Sequence, residues 1–513
     1  MSGTAAAEGA PNRGIITLCV MLATLMQSLD STIANVALPY MQGSLAASQD
    51  QINWVLTSYI VAAAIMTSPT GWLSSRFGRT RVLLVAVVGF TVASVLCGLS
   101  QSIAQIVLFR LLQGMFGAAL VPLSQSVMFD IYPVEQRGAA MGLWGVGVMV
   151  GPVLGPTLGG WLTEYYNWRW VFYINVPIGI AAGIGLLTFL PETSRTRSRF
   201  DWTGFLMLSL GIGAFQTMLD RGEELDWFGS REIITESCLA VIGIYGFIVH
   251  FLMVDKPFIS PRLLRDVNFV IGTVCIFLVG MILYATMALL TPYLQNLMDY
   301  PVLTAGIALA PRGLGTMAGM FLCGKLSGRI RARNLTIFGF VLTIYSLYRL
   351  MQFTPDVSEN EVMAVGFVQG FSTGFVFVAL STATFATLVP DLRMQGTGIY
   401  SLMRNLGSSI GISVTGALLL RNTQINHASI AQSVTPFNRM LQHGAPLRLW
   451  NPFQSHGVAA LDAVVTRQAQ TIAYIDDFKL MMIMAVAAMP LLFLIREPLL
   501  ARSDKDAHAA VMD

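Results

Sequence analysis

Apolar windows long enough to cross a bilayer recur along this chain, and they constrain its fold more than any other feature. A helix needs about 20 apolar residues to span a hydrocarbon core of ~30 Å. Such windows, broken by charges, Pro or Gly, lie at 15–39, 51–73, 80–100, 103–130, 138–162, 171–190, 203–220, 233–254, 269–292, 303–325, 334–353, 362–389, 396–420 and 478–496. None shows the alternation of an outer-membrane barrel strand. The expectation is an all-α polytopic membrane protein with 14 transmembrane helices. Only 12% of the residues are charged, against about 25% in a soluble domain. No small-residue cleavage site follows a short apolar core near the start, so the first window reads as a retained helix.

Of 31 Lys and Arg, 19 fall on the side that holds the N-terminus and 8 on the other, 5 of these in or beside one long loop. Arg110, Arg312, Arg349 and Arg404 remain inside windows. Cytoplasmic loops carry the excess of positive charge, so both termini are expected to be cytoplasmic. The long loop, 421–477, is polar with amphipathic stretches and lies on the other side. A connection of that length is a tolerated insertion or a docking surface.

The composition also excludes function classes. A net charge of +3 gives no reason to expect nucleic-acid binding. Cys19, Cys97, Cys238, Cys275 and Cys323 are dispersed without CxxC spacing, and the five His show no HExxH, so neither disulfides nor a metal site is expected. No GxxxxGK[ST] is present, so no ATP site and no cofactor are expected. All but one His lie in tails or loops, which argues against a membrane-embedded enzyme.

The chain repeats itself at an offset of about 255 residues. Gly71-Trp72-Leu73-Ser74-Ser75-Arg76 parallels Gly324-Lys325-Leu326-Ser327-Gly328-Arg329, and Arg110-Leu111-Leu112-Gln113-Gly114 parallels Gly366 to Gly370. The expected organisation is a tail at 1–14, a six-helix bundle at 15–190, two inserted helices at 203–254, a second six-helix bundle at 269–496 containing the 421–477 loop, and a tail at 497–513. Parallel six-helix halves place a substrate site between them near the midplane.

Within this frame Asp30 is expensive. A charged side chain near the bilayer centre costs about 2.5–3.5 kcal/mol on insertion scales. It is kept for a structural hydrogen bond between helices or as a protonatable, ligand-facing group. Counting ~1.5 Å per residue from the two faces brings Asp30 and Arg110 to similar depths. The pair is absent from the second half, where Gly366 matches Arg110 and Leu283 lies near the match to Asp30. A buried carboxylate beside a guanidinium is held ionised, and removing the cation or the water favours the protonated form. Asp30 and Arg110 are therefore the candidate proton-coupling residues. Polar or aromatic positions at mid-depth, Gln27, Asn35, Trp54, Tyr59, Gln125, Tyr284, Gln295 and Gln369, are candidate substrate-cavity residues. Arg312 either attracts anionic substrates or snorkels outward. In window five, Gly147, Gly151, Pro152, Gly155 and Gly159 remove bulk from one face, which suits plain helix packing or a hinge.

These segments resemble a known family. Gly71 to Arg81 looks like the loop motif after span two of the major facilitator superfamily, with Gly71, Arg76, Gly78 and Arg79 in place. Arg110 to Gly114 and Gly147 to Gly160 resemble its span-four and span-five motifs. Leu29 to Pro39, Trp168 to Gly179 and Leu219 to Phe228 are similar to signatures of fourteen-span drug:proton antiporters of the EmrB branch. Ser75 stands where that family usually has an acid, and Asp130 is the candidate replacement. The resemblance implies a major facilitator fold and proton-driven export of hydrophobic or weakly acidic toxic compounds. It also implies a Gram-negative inner membrane, an EmrA-type periplasmic adaptor facing the long loop, and a TolC-type outer-membrane channel. A dedicated exporter of one metabolite, such as a siderophore or fatty acid, is the alternative.

Overall fold

A computed structural model describes residues 12–192, 200–254, 257–434, 450 and 454–496. Both expected tails and the middle of the long loop lie almost wholly outside the described residues. What is described is helical, without a strand among the described residues. The helices are α1 (Arg13–Ser44), α2 (Gln49–Thr67), α3 (Thr70–Phe77), α4 (Arg79–Leu99), α5 (Ile103–Gly117), α6 (Leu120–Ile131), α7 (Arg137–Tyr165), α8 (Trp170–Tyr173) and α9 (Asn175–Phe189). They continue with α10 (Trp202–Arg221), α11 (Arg231–Met253), α12 (Val267–Pro292), α13 (Val302–Leu326), α14 (Ala332–Leu350), α15 (Glu359–Phe385), α16 (Pro390–Ser433) and α17 (Ser455–Phe493).

Polar residues at the ends of the apolar windows start the helices. Ser48 and Gln51 form a reciprocal capping box on α2, while Ser102, Asp201 and Asp266 accept from backbone N–H groups of α5, α10 and α12. Gly78, at φ 92°, turns α3 directly into α4, a conformation that favours glycine.

Ten helical stretches among the described residues are long and apolar enough to cross a membrane, or eleven with α2 and α3 counted as one span bent by 56°. The expected fourteen are not reached by that measure, because α14, α16 and α17 are long but too polar to qualify. Packing repeats between the halves. α1 lies on α7, α2 on α5 and α4 on α9, as α12 lies on α16, α13 on α15 and α14 on α17. The inserted α10 and α11 pair with each other, and α10 also packs on α2 and α16. The apolar window of α11 is only 11% buried, which suits a helix facing lipid.

The 421–477 segment differs from expectation. Its described parts are mostly helix, because α16 runs on to Ser433 and α17 starts at Ser455. Arg421 to Ser433 contains neither Gly nor Pro to break the helix. At 44 residues, α16 is ~66 Å long, about twice the hydrocarbon thickness. His427 Nε2 and Asp462 Oδ1, 3.0 Å apart, link the two extensions.

Candidate functional site

The structure brings Asp30 and Arg110 into direct contact, with 2.6 Å between Arg110 NH1 and Asp30 Oδ2. Asp30 is fully buried on α1 and Arg110 on α5 is 1% exposed. Three further buried side chains complete the cluster. Gln113, one turn along α5, donates from Nε2 to Asp30 Oδ1 (2.9 Å) and accepts from Arg110 NH1 (2.9 Å). Asn175, at the start of α9, donates from Nδ2 to Asp30 Oδ1 (3.1 Å). Ser94 on α4 accepts from both amides and donates to the Phe172 carbonyl (2.8 Å). Arg110 Nε donates to the Val55 carbonyl of α2 (3.0 Å), and the guanidinium carbon lies 4.2 Å from the Tyr59 ring centroid. One carboxylate thus ties α1, α5 and α9 together, with α4 joined through Ser94 and α2 through Arg110. The charges are paired, both Asp30 oxygens accept hydrogen bonds, and Arg110 donates from Nε and NH1, while Asn175 Oδ1 stays unpartnered.

Sequence reasoning named Asp30, Arg110 and Tyr59 but not Gln113, Asn175 or Ser94. Gln113 was legible as the i+3 neighbour of Arg110 on one helix face. Asn175 follows the short α8, whose geometry sets its direction.

Of the other expected cavity residues, Arg312 and Gln369 line one small cavity and Trp54 lines another. Gln125 is buried with Nε2 unpartnered, and Gln369 is buried with Oε1 unpartnered. Gln27, Trp54 and Gln295 are half-buried, while Asn35 and Tyr284 are exposed. Trp54 sits near the guanidinium of Arg221 at 5.2 Å. Arg312 turns inward and is 7% exposed, which excludes the outward snorkel.

Gly147, Gly151, Gly155 and Gly159 form a seam against α1. Ser28 Oγ donates to the Val148 carbonyl (2.7 Å), and a Cβ on Gly151 would lie 2.6 Å from the Leu29 nitrogen. α7 is continuous through Pro152, so in this state the glycines serve close packing beside Asp30.

A second charged cluster lies at the end carrying the Lys/Arg-rich loops. Asp130 pairs with Arg79 of its own half and with Arg393 of α16, 3.5 Å away. Gly71 abuts Gln395, and a Cβ on Gly142 would lie 2.6 Å from the Met320 carbonyl. The halves are therefore closed against each other at this end. Ser75 donates to the Gly71 carbonyl of its own helix (2.9 Å), and Arg76 is exposed. Partly exposed ion pairs are worth about 1 kcal/mol, so Asp130→Asn should loosen this end by roughly five-fold. Maleimide labelling of Met320→Cys, a fully buried position, measures it in a background where exposed Cys238 is Ser. An unchanged rate would remove Asp130 from the closure.

The Major Facilitator Superfamily model matches residues 20–418. Multidrug export protein EmrB of Escherichia coli (strain K12) is 39% identical over 427 residues, covering 83% of each chain. Fatty acid resistance protein FarB of Neisseria gonorrhoeae is 34% identical over 487 residues, covering 94% of this chain and 96% of its own. Among solved structures, the human organic anion transporter MFSD10 superposes with a TM-score of 0.59 at 16% identity, over 93% of this chain and 100% of that one. With the helical architecture and these relatives together, the chain belongs to the major facilitator superfamily and is of the EmrB type.

Proposed function

We propose that this multi-pass membrane protein is a drug efflux transporter that exchanges protons for hydrophobic toxic compounds by alternating access. The relatives are transporters, and the EmrB proteins among them are named for multidrug export. The observation that carries proton coupling is the buried Asp30–Arg110 pair, which joins helices of the first half only.

Its chemistry follows from its setting. Arg110 lies against Asp30 and supplies the counter-charge a carboxylate needs. A rearrangement within the first half that shifts α1 against α5 as the halves rock withdraws the guanidinium, and in a dry site the carboxylate then takes a proton. Return to the paired state releases that proton on the other side. Each charge moved through 100 mV is worth about 2.3 kcal/mol, so the proton gradient drives export without a cofactor.

The Lys/Arg distribution supports cytoplasmic termini, and the EmrB relatives from Escherichia coli support a Gram-negative inner membrane. The helical extensions of α16 and α17 then reach into the periplasm, where they offer a surface to an EmrA-type adaptor serving a TolC-type channel. A second reading, export of one class of metabolite, is favoured by the fatty-acid resistance named for FarB, which aligns over nearly the whole chain.

Everted vesicles carrying a pH-sensitive dye test the function. Adding a substrate should release protons from energised vesicles only when the protein is present, and no response across a panel of hydrophobic drugs and fatty acids would sink proton-coupled export. For the adaptor, a variant whose α16 and α17 are trimmed beyond Arg421 and before Asp477 should lose adaptor in a pull-down, and unchanged capture would end that part.

A further inference from the structure

The second half holds a cation and a glutamine where the first half has its ion pair, but the acid is missing. In the first half Arg110 of α5 meets Asp30 of α1 and Gln113. About 255 residues on, Gln369 matches Gln113, Gly366 matches Arg110, and the match to Asp30 falls near Leu283. The cation enters instead from α13. Arg312 is buried, its Cβ lies 3.8 Å from where a Cβ on Gly366 would sit, and its NH2 donates to the Leu283 carbonyl (3.1 Å). Among the described residues that carbonyl is the one acceptor of its side chain, and no acidic side chain pairs with it.

A buried guanidinium without a counter-charge is costly, and an incoming anion would offset that cost. Arg312 and Gln369 line one small cavity, closed in this state to about 20 Å³, room for a water or two. Its other walls include Val279, Ile282, Phe340 and Val376, all apolar. Gln369 lines the same space with its buried Oε1 unpartnered, so it serves an anion once the amide turns its Nε2 donors inward.

We infer that Arg312 and Gln369 form an anion subsite in the second half, where the carboxylate of a lipophilic organic acid takes the place that Asp30 occupies in the first. A planar fork of N–H groups suits a carboxylate, and the apolar walls suit an alkyl or aryl chain entering as the helices part. The subsite gives the exporter proposed above a means of choosing acids over equally apolar neutral compounds. It rests on that reading for the direction of travel but not for binding.

The test is binding of radiolabelled dodecanoate to the full chain in nanodiscs at pH 8, with dodecanol as competitor. Dodecanoate should bind wild type, and dodecanol should compete at least about tenfold less well than unlabelled dodecanoate. Arg312→Gln should weaken dodecanoate by about tenfold or more. Leu283→Asp supplies the missing acid from within the chain and should exclude dodecanoate while raising thermal stability. That variant decides the question if Arg312→Gln fails to fold. Absent binding, equal competition by dodecanol, or unchanged affinity in a folded variant would overturn the subsite. Specific binding without export in vesicles would instead sink the export reading and leave the subsite standing.

Discussion

Replacing Asp30 by Asn is expected to abolish compound-driven proton movement in everted vesicles, to the level of vesicles lacking the protein, and to lower the melting temperature, because it leaves the buried Arg110 guanidinium without its counter-charge. The amide keeps the shape and, at one oxygen, the bonds from Gln113 and Asn175, but it turns a donor toward Arg110 and has no proton to trade. A carrier that still rocks when loaded should continue substrate–substrate exchange across the membrane, so exchange survives where uphill export is lost. Arg110→Ala leaves the other charge unpaired. It strands a fully buried carboxylate on two amide donors, and breaking one side of a buried pair costs about 3–5 kcal/mol. That variant should show a lowered melting temperature in detergent as well as lost export. The double variant Asp30→Asn with Arg110→Gln carries no buried charge and should recover stability without recovering export. The non-additive stability against the uniform loss of export separates the structural from the coupling role. Coupled export by Asp30→Asn would remove Asp30 as the proton carrier.

This site was legible in outline because bilayer physics makes a membrane charge conspicuous and depth can be counted along a straight helix. Asp30 and Arg110 followed from that alone. Asn175 did not, since α8 and the turn before α9 decide which way it points, and neither is set by hydrophobic period. The repeat at about 255 residues exposed the two-half plan, and α12–α16 and α13–α15 pair as α1–α7 and α2–α5 do. Hydropathy ended windows at Leu420 and Phe478, so the helical runs beyond them read as loop. Hydropathy reports the solvent around a helix rather than whether the backbone is helical. Arg312 showed the limit from the other side. Its depth was evident, but its inward direction depends on the packing of α13 against α15, where Gly370 lets the backbones meet.

The glycine seam of α7 gives the second large effect, because α1 cannot retreat from it. A Cβ at Gly151 would meet the Leu29 nitrogen at 2.6 Å and the Ser28 carbonyl carbon at 2.7 Å, both backbone atoms. Those two residues immediately precede Asp30, which is itself held by Gln113, Asn175 and Arg110. Gly151→Val should therefore cost about 1–3 kcal/mol as overpacking and pull Asp30 out of register with Arg110, with a lower melting temperature and export reduced at least tenfold. Gly155→Ala should be milder, since its Cβ would meet the Thr32 hydroxyl, a side chain that can turn away. Gly160→Ala points into open space with nothing within 4 Å and should leave stability and export near wild type. The graded order distinguishes packing from bending. If α7 worked as a hinge drawing on glycine flexibility, a side chain at Gly160 would stiffen it much as one at Gly155 does. Equal loss of export in Gly155→Ala and Gly160→Ala, with melting temperatures unchanged, would replace the packing seam with a hinge. The graded series would instead place the requirement in the distance between α1 and α7, which sets where the Asp30 carboxylate sits.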